Sequence, residues 1–398
     1  MNVNLDMLQT MVAGILALVT GLWLNRRIPF LRRICIPAPV TGGIIFSLLT
    51  LLLYNLGMEV SFDGTLKDVS MVVFFTTVGF QCDFSAIKKG GRPLVAMTVL
   101  VAVLIVLQNV VAILTAKAIG QSPILGMAAG SIPMCGGHGT AAGFSALLES
   151  EGLKGAASIT MATATFGLVA GSLLGGPLAE SIIRRKGLEK EDGGYKQAEL
   201  LKEIDNDRDE RQNLHGYAKA TYEIFIAAGI GTLLNKLLAM TGISFPTYFG
   251  ALLAAVAYRN ITEAIPHCPK TAIGEIGSIG SISLSLFLGM AMVSLHLWEL
   301  SGLAAPLLLM LLAEVVLMFL FSRFVAFPVL GRNYDAAVLI SGLCGFGLGA
   351  TPNAMANMSA VCTKYRYSAL PFLIVPIIGA MFVDIINISV ITFFINIL

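Results

Sequence analysis

Long apolar runs separated by short charged stretches set the pattern of this chain. Taking about 20 apolar residues as one membrane crossing, the runs at 8–24, 38–56, 67–87, 94–117 and 156–183 read as five spans. Those at 218–240, 246–259, 274–296, 303–327 and 370–396 read as five more. Between the two sets lies a stretch, 187–216, dense in Asp, Glu, Lys and Arg and read as a solvated linker. Between the fourth and fifth runs of each set stands a segment too glycine-rich for a stable membrane helix and too apolar in its surroundings for a surface loop. These are residues 130–140 (GSIPMCGGHGT) and 341–352 (SGLCGFGLGATP).

The two broken segments are related. At an offset of 211 positions, Gly120, Gly136 and Thr140 answer to Gly331, Gly347 and Thr351. Residues 21–26 (GLWLNR) also match 231–236 (GTLLNK), and Pro39 and Pro246 open corresponding runs. Five spans per half force the second half to enter the membrane upside down. The expected fold is an all-α polytopic membrane protein of two inverted repeats, each of five transmembrane helices with a re-entrant hairpin. The first repeat covers 1–186, with its hairpin at about 122–150; the linker covers 187–216; the second repeat covers 217–398, with its hairpin at about 333–364. The hairpins then enter from opposite faces and their tips approach near the midplane. With the amino terminus outside, sixteen Lys and Arg fall on one side against Lys67, Lys117, Lys154 and Lys236 on the other. The richer side is cytoplasmic, so both termini face outward.

Composition agrees with a membrane solvent: 56% of residues are hydrophobic, 13% are charged, and mean hydropathy is +0.82. A net charge of +2, with basic residues scattered among short loops, argues against nucleic acid. Six cysteines at irregular spacing do not suggest a disulfide framework. The first run lacks a basic leader and a small-residue cleavage site, so it reads as a span.

A helix broken inside a membrane leaves N–H and C=O groups that cost several kcal/mol each if they face lipid. They are tolerated around a wet cavity. There, helix N-termini suit a carboxylate, and unwound carbonyls with hydroxyls suit a small hard cation such as Na⁺. Glycine also serves close helix packing, but two clusters at one offset, each followed by Thr, favour a site. No span carries Lys or Arg near its centre, so an anion would be held by amides and hydroxyls. Candidate hydroxyls are Ser131, Thr140, Thr163, Thr165 and Thr351, although such side chains often bond back to their own helix. His138 could bind substrate, carry a proton or be structural. No second ligand stands at metal spacing beside it, and His267–Cys268, between prolines, reads as a loop. Intramembrane carboxylates are costly. Asp384 lies in the last span with Asn387 one turn on, a pair with no counterpart in the first half, and is a candidate for Na⁺ or an ammonium group. Glu314, which could face a neighbouring subunit or a packed helix, and Gln108–Asn109 are weaker cases. Glu180 beside Arg184 reads as an interfacial ion pair. No nucleophile–base set points to an enzyme.

Residues 136–140 (GGHGT), 162–168 (ATATFGL), 333–338 (NYDAAV), 344–352 (CGFGLGATP) and 383–387 (VDIIN) resemble the bacterial sodium/glutamate symporter family. The likeness runs almost end to end and is weakest in the central linker. It implies Na⁺-driven glutamate uptake across the inner membrane, ten spans with two re-entrant hairpins, a homodimer, and elevator-like movement of a domain bearing the hairpins. It places the site on Ser131, Gly136, Gly137, His138, Gly139 and Thr140, on Gly345, Gly347, Gly349 and Thr351, and on Asp384 and Asn387. Na⁺ is the coupling ion, held among tip carbonyls and hydroxyls with Asp384 as a candidate ligand; no other cofactor is implied. The alternatives are a Na⁺- or H⁺-coupled symporter of another small dicarboxylate, and a channel.

Overall fold

The computed structural model describes residues 2–33, 36–188, 214–241, 245–265, 270–300 and 302–398. Most of the expected linker, and the His267–Cys268 loop, lie outside the described residues. A short parallel pair, β1 (Asn2–Leu5) and β2 (Glu59–Phe62), was not legible in the apolar pattern. Everything else of substance is helical. In the first half run α1 (Met7–Arg27), α2 (Pro29–Arg33), α3 (Ala38–Asn55), α4 (Thr65–Gln81), α5 (Ser85–Ala118), α6 (Pro123–Met127), α7 (Ser131–Met134), α8 (Gly137–Ser150) and α9 (Ala156–Lys186). The second half has α10 (Leu214–Ala239), α11 (Phe249–Ala264), α12 (Ile273–Val293), a 3₁₀ turn (Leu297–Leu300) and α13 (Ala304–Leu320). A π turn (Phe321–Ala326) extends α13 into α14 (Phe327–Val329), followed by α15 (Tyr334–Gly347), α16 (Thr351–Lys364), α17 (Ala369–Met381) and α18 (Val383–Ile397).

Among the described residues seven helices are long and apolar enough to cross a membrane, or eight if the bent pair α17–α18 is one crossing. The chain is an all-α polytopic membrane protein. The expected third and seventh spans, 67–87 and 246–259, fold as helices of 17 and 16 residues, α4 and α11, shorter than the seven that are long enough to cross. The tenth is not continuous: α17 and α18 meet at 45°.

Local chemistry explains several helix ends. Asp6 and Gln9 form a capping box at the start of α1, each side chain accepting from the other's backbone N–H. Ser122 caps α6 and Asn333 caps α15, the side-chain oxygens accepting from Ile124 N and Ala336 N. Gly120 and Gly331, two residues before those caps, both have positive φ, 74° and 106°. Asn25 ties down the entry to α3, donating to Ile36 O and accepting from Thr41 Oγ1. Asn235 does the same for α11, donating to Thr247 O and accepting from Gly250 N. These pairs stand 211 or 210 positions apart in the sequence.

The helices pack as two bodies. In one, α1, α3, α4, α10, α11 and α12 pack on one another; in the other, α5 to α9 pack with α13 and α15 to α18. Small residues let α1 and α3 approach closely, Gly42 lying against the backbone of Ala17. One apolar core, from Leu94 and Leu104 through Phe346 and Ile378, fills the second body, and another, around Phe75, Phe144 and Tyr248, joins the two.

Candidate functional site

The second body carries two broken helix pairs, α6–α8 and α15–α16. Gly136 and residues 348–350 are the breaks, and the backbones of Gly137 and Gly349 meet there. Gly137 has φ of +60°, and a Cβ on it would stand 2.8 Å from Gly349 O, so the contact requires glycine twice over. The α8 and α16 helices start at this junction, at Gly137 and Thr351. Their positive dipole ends converge on one place; α8 opens with the amides of Gly137, His138 and Gly139, whereas α16 offers Thr351 N alone, since Pro352 has no N–H and Asn353 N and Ala354 N donate to Ala350 O. The α17–α18 bend brings a third element to it.

A cavity of about 250 Å³ lies at this junction. The second body supplies Gly136, Gly137, His138, Gly139, Thr140, Gly349, Thr351, Gly379 and Asp384. The first body closes it with Phe74 and Phe75 of α4 and Leu284 and Leu288 of α12. No Lys or Arg lines it among the described residues. Thr140 is fully buried with its Oγ1 unpartnered, an acceptor and donor awaiting company. Asp384 is half-buried in the first turn of α18, so its carboxylate opens at a helix start rather than from mid-span. His138 is buried, its Nε2 3.1 Å from Thr165 Oγ1, which itself donates to Met161 O at 2.9 Å. With the single hydroxyl proton spent on Met161, Thr165 accepts and His138 Nε2 carries the hydrogen.

The remaining expected site residues stand behind this lining. Ser131 is fully buried: its N–H donates to Asn109 Oδ1, its Oγ accepts from Asn109 Nδ2 at 2.8 Å, and its carbonyl accepts from Asn387 Nδ2 at 3.1 Å. Thr163 Oγ1 lies 2.9 Å from Ala128 O, at the break between α6 and α7. Gly345 packs against the backbone of Ala354 and so lets α15 and α16 pair, while Gly347 O accepts from Gln108 Nε2 at 2.7 Å. None of these five, nor Thr165, touches the cavity; they hold the segments that do.

Asn353 and Asn357 were not singled out by the sequence reading. Their Nδ2 groups donate to Leu168 O and Gly171 O of α9 at 2.8 and 2.9 Å. The available signal was their spacing of four on one helix face of α16. Glu180 pairs with Arg184 as expected, and also with Lys364 of α16.

The sequence profile of the sodium/glutamate symporters matches residues 3–367. The chain belongs to the sodium/glutamate symporter family. It is 38% identical to the sodium/glutamate symporter of Escherichia coli (strain K12) over 98% of this chain and 97% of that protein. It is 37% identical to the sodium/glutamate symporter of Haemophilus influenzae over 97% of this chain and 96% of that one. As a family member this symporter-like chain is a carrier by kinship rather than an enzyme, and the junction of its broken helices is the place to look for cargo.

Proposed function

We propose that this chain carries glutamate into the cell together with Na⁺. The observation that bears most weight is the cavity at the Gly137–Gly349 contact. Two helix N-termini, an unpartnered buried hydroxyl and one carboxylate meet there, with no Lys or Arg among the described residues that line it. Glutamate carboxylates are held by first-turn amides of α8, by Thr351 N of α16 and by the hydroxyls of Thr140 and Thr351. Na⁺ takes carbonyl and hydroxyl oxygens at the tips, with Asp384 as the anionic ligand; Asp384 alternatively meets the substrate ammonium. Ser131, Thr163, Gly345, Gly347 and Asn387 keep the tips in place.

In this reading α6–α8 and α15–α16 are re-entrant hairpins of two inverted repeats, 1–186 and 217–398, joined by a cytoplasmic linker. Matched caps at Ser122 and Asn333, matched glycines at 120 and 331 and matched ties at Asn25 and Asn235 support it. Movement is elevator-like: the body bearing the tips slides against the other. Support comes from the apolar wall of Phe74, Phe75, Leu284 and Leu288, which faces the tips without hydrogen-bonding them. The setting is the inner membrane, with both termini periplasmic as the positive charge distribution argues. The homodimer rests on the family resemblance alone.

Reconstituted proteoliposomes test the proposal. Labelled L-glutamate accumulates against its gradient when Na⁺ is imposed outside. Accumulation indifferent to Na⁺, or displaced better by another dicarboxylate, selects a different symporter, and flux without accumulation selects a channel.

A further inference from the structure

Glu314 lies midway along α13, fully buried, with neither carboxylate oxygen hydrogen-bonded. Its burial inside the fold settles the two sequence options in favour of a packed helix. Gln108 of α5 is also fully buried, and its Oε1 has no partner although its Nε2 donates to Gly347 O. Gly347 is flanked by Met318 of α13 and Leu104 of α5. From that level, α13 runs toward its N-terminus, and α5 toward its C-terminus, out of the core around α15. Both enter the core around α6–α8: Leu307 and Met310 on α13 belong to it, as do Ile113 and Ala116 on α5. Glu314 stands one turn from Met318, and Gln108 one turn from Leu104, in that shared direction. Residues four apart share a helix face, so both side chains occupy the faces that meet at Gly347, on helices packed together.

Three acceptor oxygens thus sit in the membrane interior at one depth without a donor. An unpaired carboxylate there is expensive, and an unpaired amide oxygen adds to the cost. A single proton relieves both. We propose that Glu314 is a proton-binding site whose O–H donates to Gln108 Oε1, so that one bound proton fixes the amide holding the second tip at Gly347. The resulting chain runs Glu314 O–H to Gln108 Oε1, then Gln108 Nε2–H to Gly347 O. Gln108 is a positioning residue here and touches no cargo.

Other titratable groups on the elements packed against α13 are remote, among the described side chains. Cys344 on α15 meets Ser322, two turns from Glu314. Arg92 and Lys117 sit toward the ends of α5, Glu180 and Arg184 to Lys186 in the last turns of α9, Tyr334 and Asp335 at the start of α15, and Arg323 in the π turn. None supplies a counter-charge at this depth.

Infrared difference spectroscopy on the full chain in lipid tests the site. The wild-type minus Glu314→Gln spectrum at neutral pH is expected to show the carbonyl stretch of a protonated carboxylic acid, unmoved by Na⁺. In Gln108→Leu, which removes the acceptor, that stretch shifts to the higher frequency of an acid without a hydrogen bond. Glu314→Gln retains a donor and keeps the wild-type melting temperature, while Glu314→Leu loses several degrees. A carboxylate band in the difference spectrum, or an acid band abolished by Na⁺, makes Glu314 a charged cation ligand and overturns the proposal. An unshifted stretch in Gln108→Leu overturns the bond to Gln108. These readouts need no transport, so a failed uptake assay counts against the function proposed above and leaves the proton site standing.

Discussion

The two broken helix pairs share a backbone plan and differ in how they are wired. In α6–α8 the first arm is itself interrupted, at residues 128–130, and outside side chains reach in to it: Asn109 and Asn387 to Ser131, Thr163 to Ala128. In α15–α16 the first arm is one unbroken helix, and the pair mostly reaches out, with Asn353 and Asn357 donating to α9. Yet both are tied to the same two helices, α5 through Gln108 and Asn109 and α9 through its hydroxyls and carbonyls. Two differently built tips share one frame. The distance between them is therefore set by α5 and α9 and not by either pair alone.

Substitution at the contact itself gives the largest effect. Gly137→Val forces a β-branched residue to positive φ, at roughly 1–2 kcal/mol, and drives a Cβ toward Gly349 O; glutamate uptake is expected to fall by about 100-fold or more, each factor of ten being about 1.4 kcal/mol. Uptake near the wild-type level would mean that the tips need not touch. Next, Asp384→Asn should raise the Na⁺ concentration for half-maximal uptake by about ten- to a hundredfold, the effect of losing an interaction with a charged group worth about 1.5–3 kcal/mol; an unaltered Na⁺ curve removes it from the ion site.

The wiring difference itself is tested by stability. Asn109→Leu strands the Ser131 N–H in the first pair, whereas Asn353→Leu leaves Leu168 O still accepting from Ser172 Oγ and strands nothing. Both should destabilise, the first by about 1–3 kcal/mol and the second by less, read as melting shifts in detergent. The reverse order breaks the comparison. The smallest effects belong to the hydroxyls: Thr140→Val and Thr351→Val should weaken glutamate affinity by about two- to tenfold, as befits a net hydrogen bond of about 0.5–1.5 kcal/mol. Since Thr140 Oγ1 is buried and unpartnered, its valine variant should melt no lower than wild type.

Much of this was readable before the fold. Glycines and Thr residues at one offset announce a repeated break because they answer to local backbone needs: Gly120 and Gly331 each take positive φ just before a helix starts. Partners across the fold leave no such mark. The Asn109–Ser131 pair spans 22 positions and Asn353–Leu168 spans 185, and an isolated asparagine in an apolar run looks the same whether it grips a neighbour or its own helix. The bend between α17 and α18 also escaped the pattern, since Phe382 and Val383 at the break are as apolar as any membrane residue. Nor could periodicity show that Phe74, Phe75, Leu284 and Leu288, ordinary core residues by type, wall a cavity.

The chain passes between the two bodies three times: from α4 into α5, through the segment after α9, and from α12 through the 3₁₀ turn into α13. The first crossing holds Gly91, which leaves the helical region at φ 59°, and so has a joint. The third is sewn to both sides. Trp298 stacks on Tyr54 of α3, while the backbone of His296 exchanges hydrogen bonds with Ser158 of α9. If the bodies slide as proposed, one of those two seams must part first, so the 3₁₀ turn is where the cost of travel would be met.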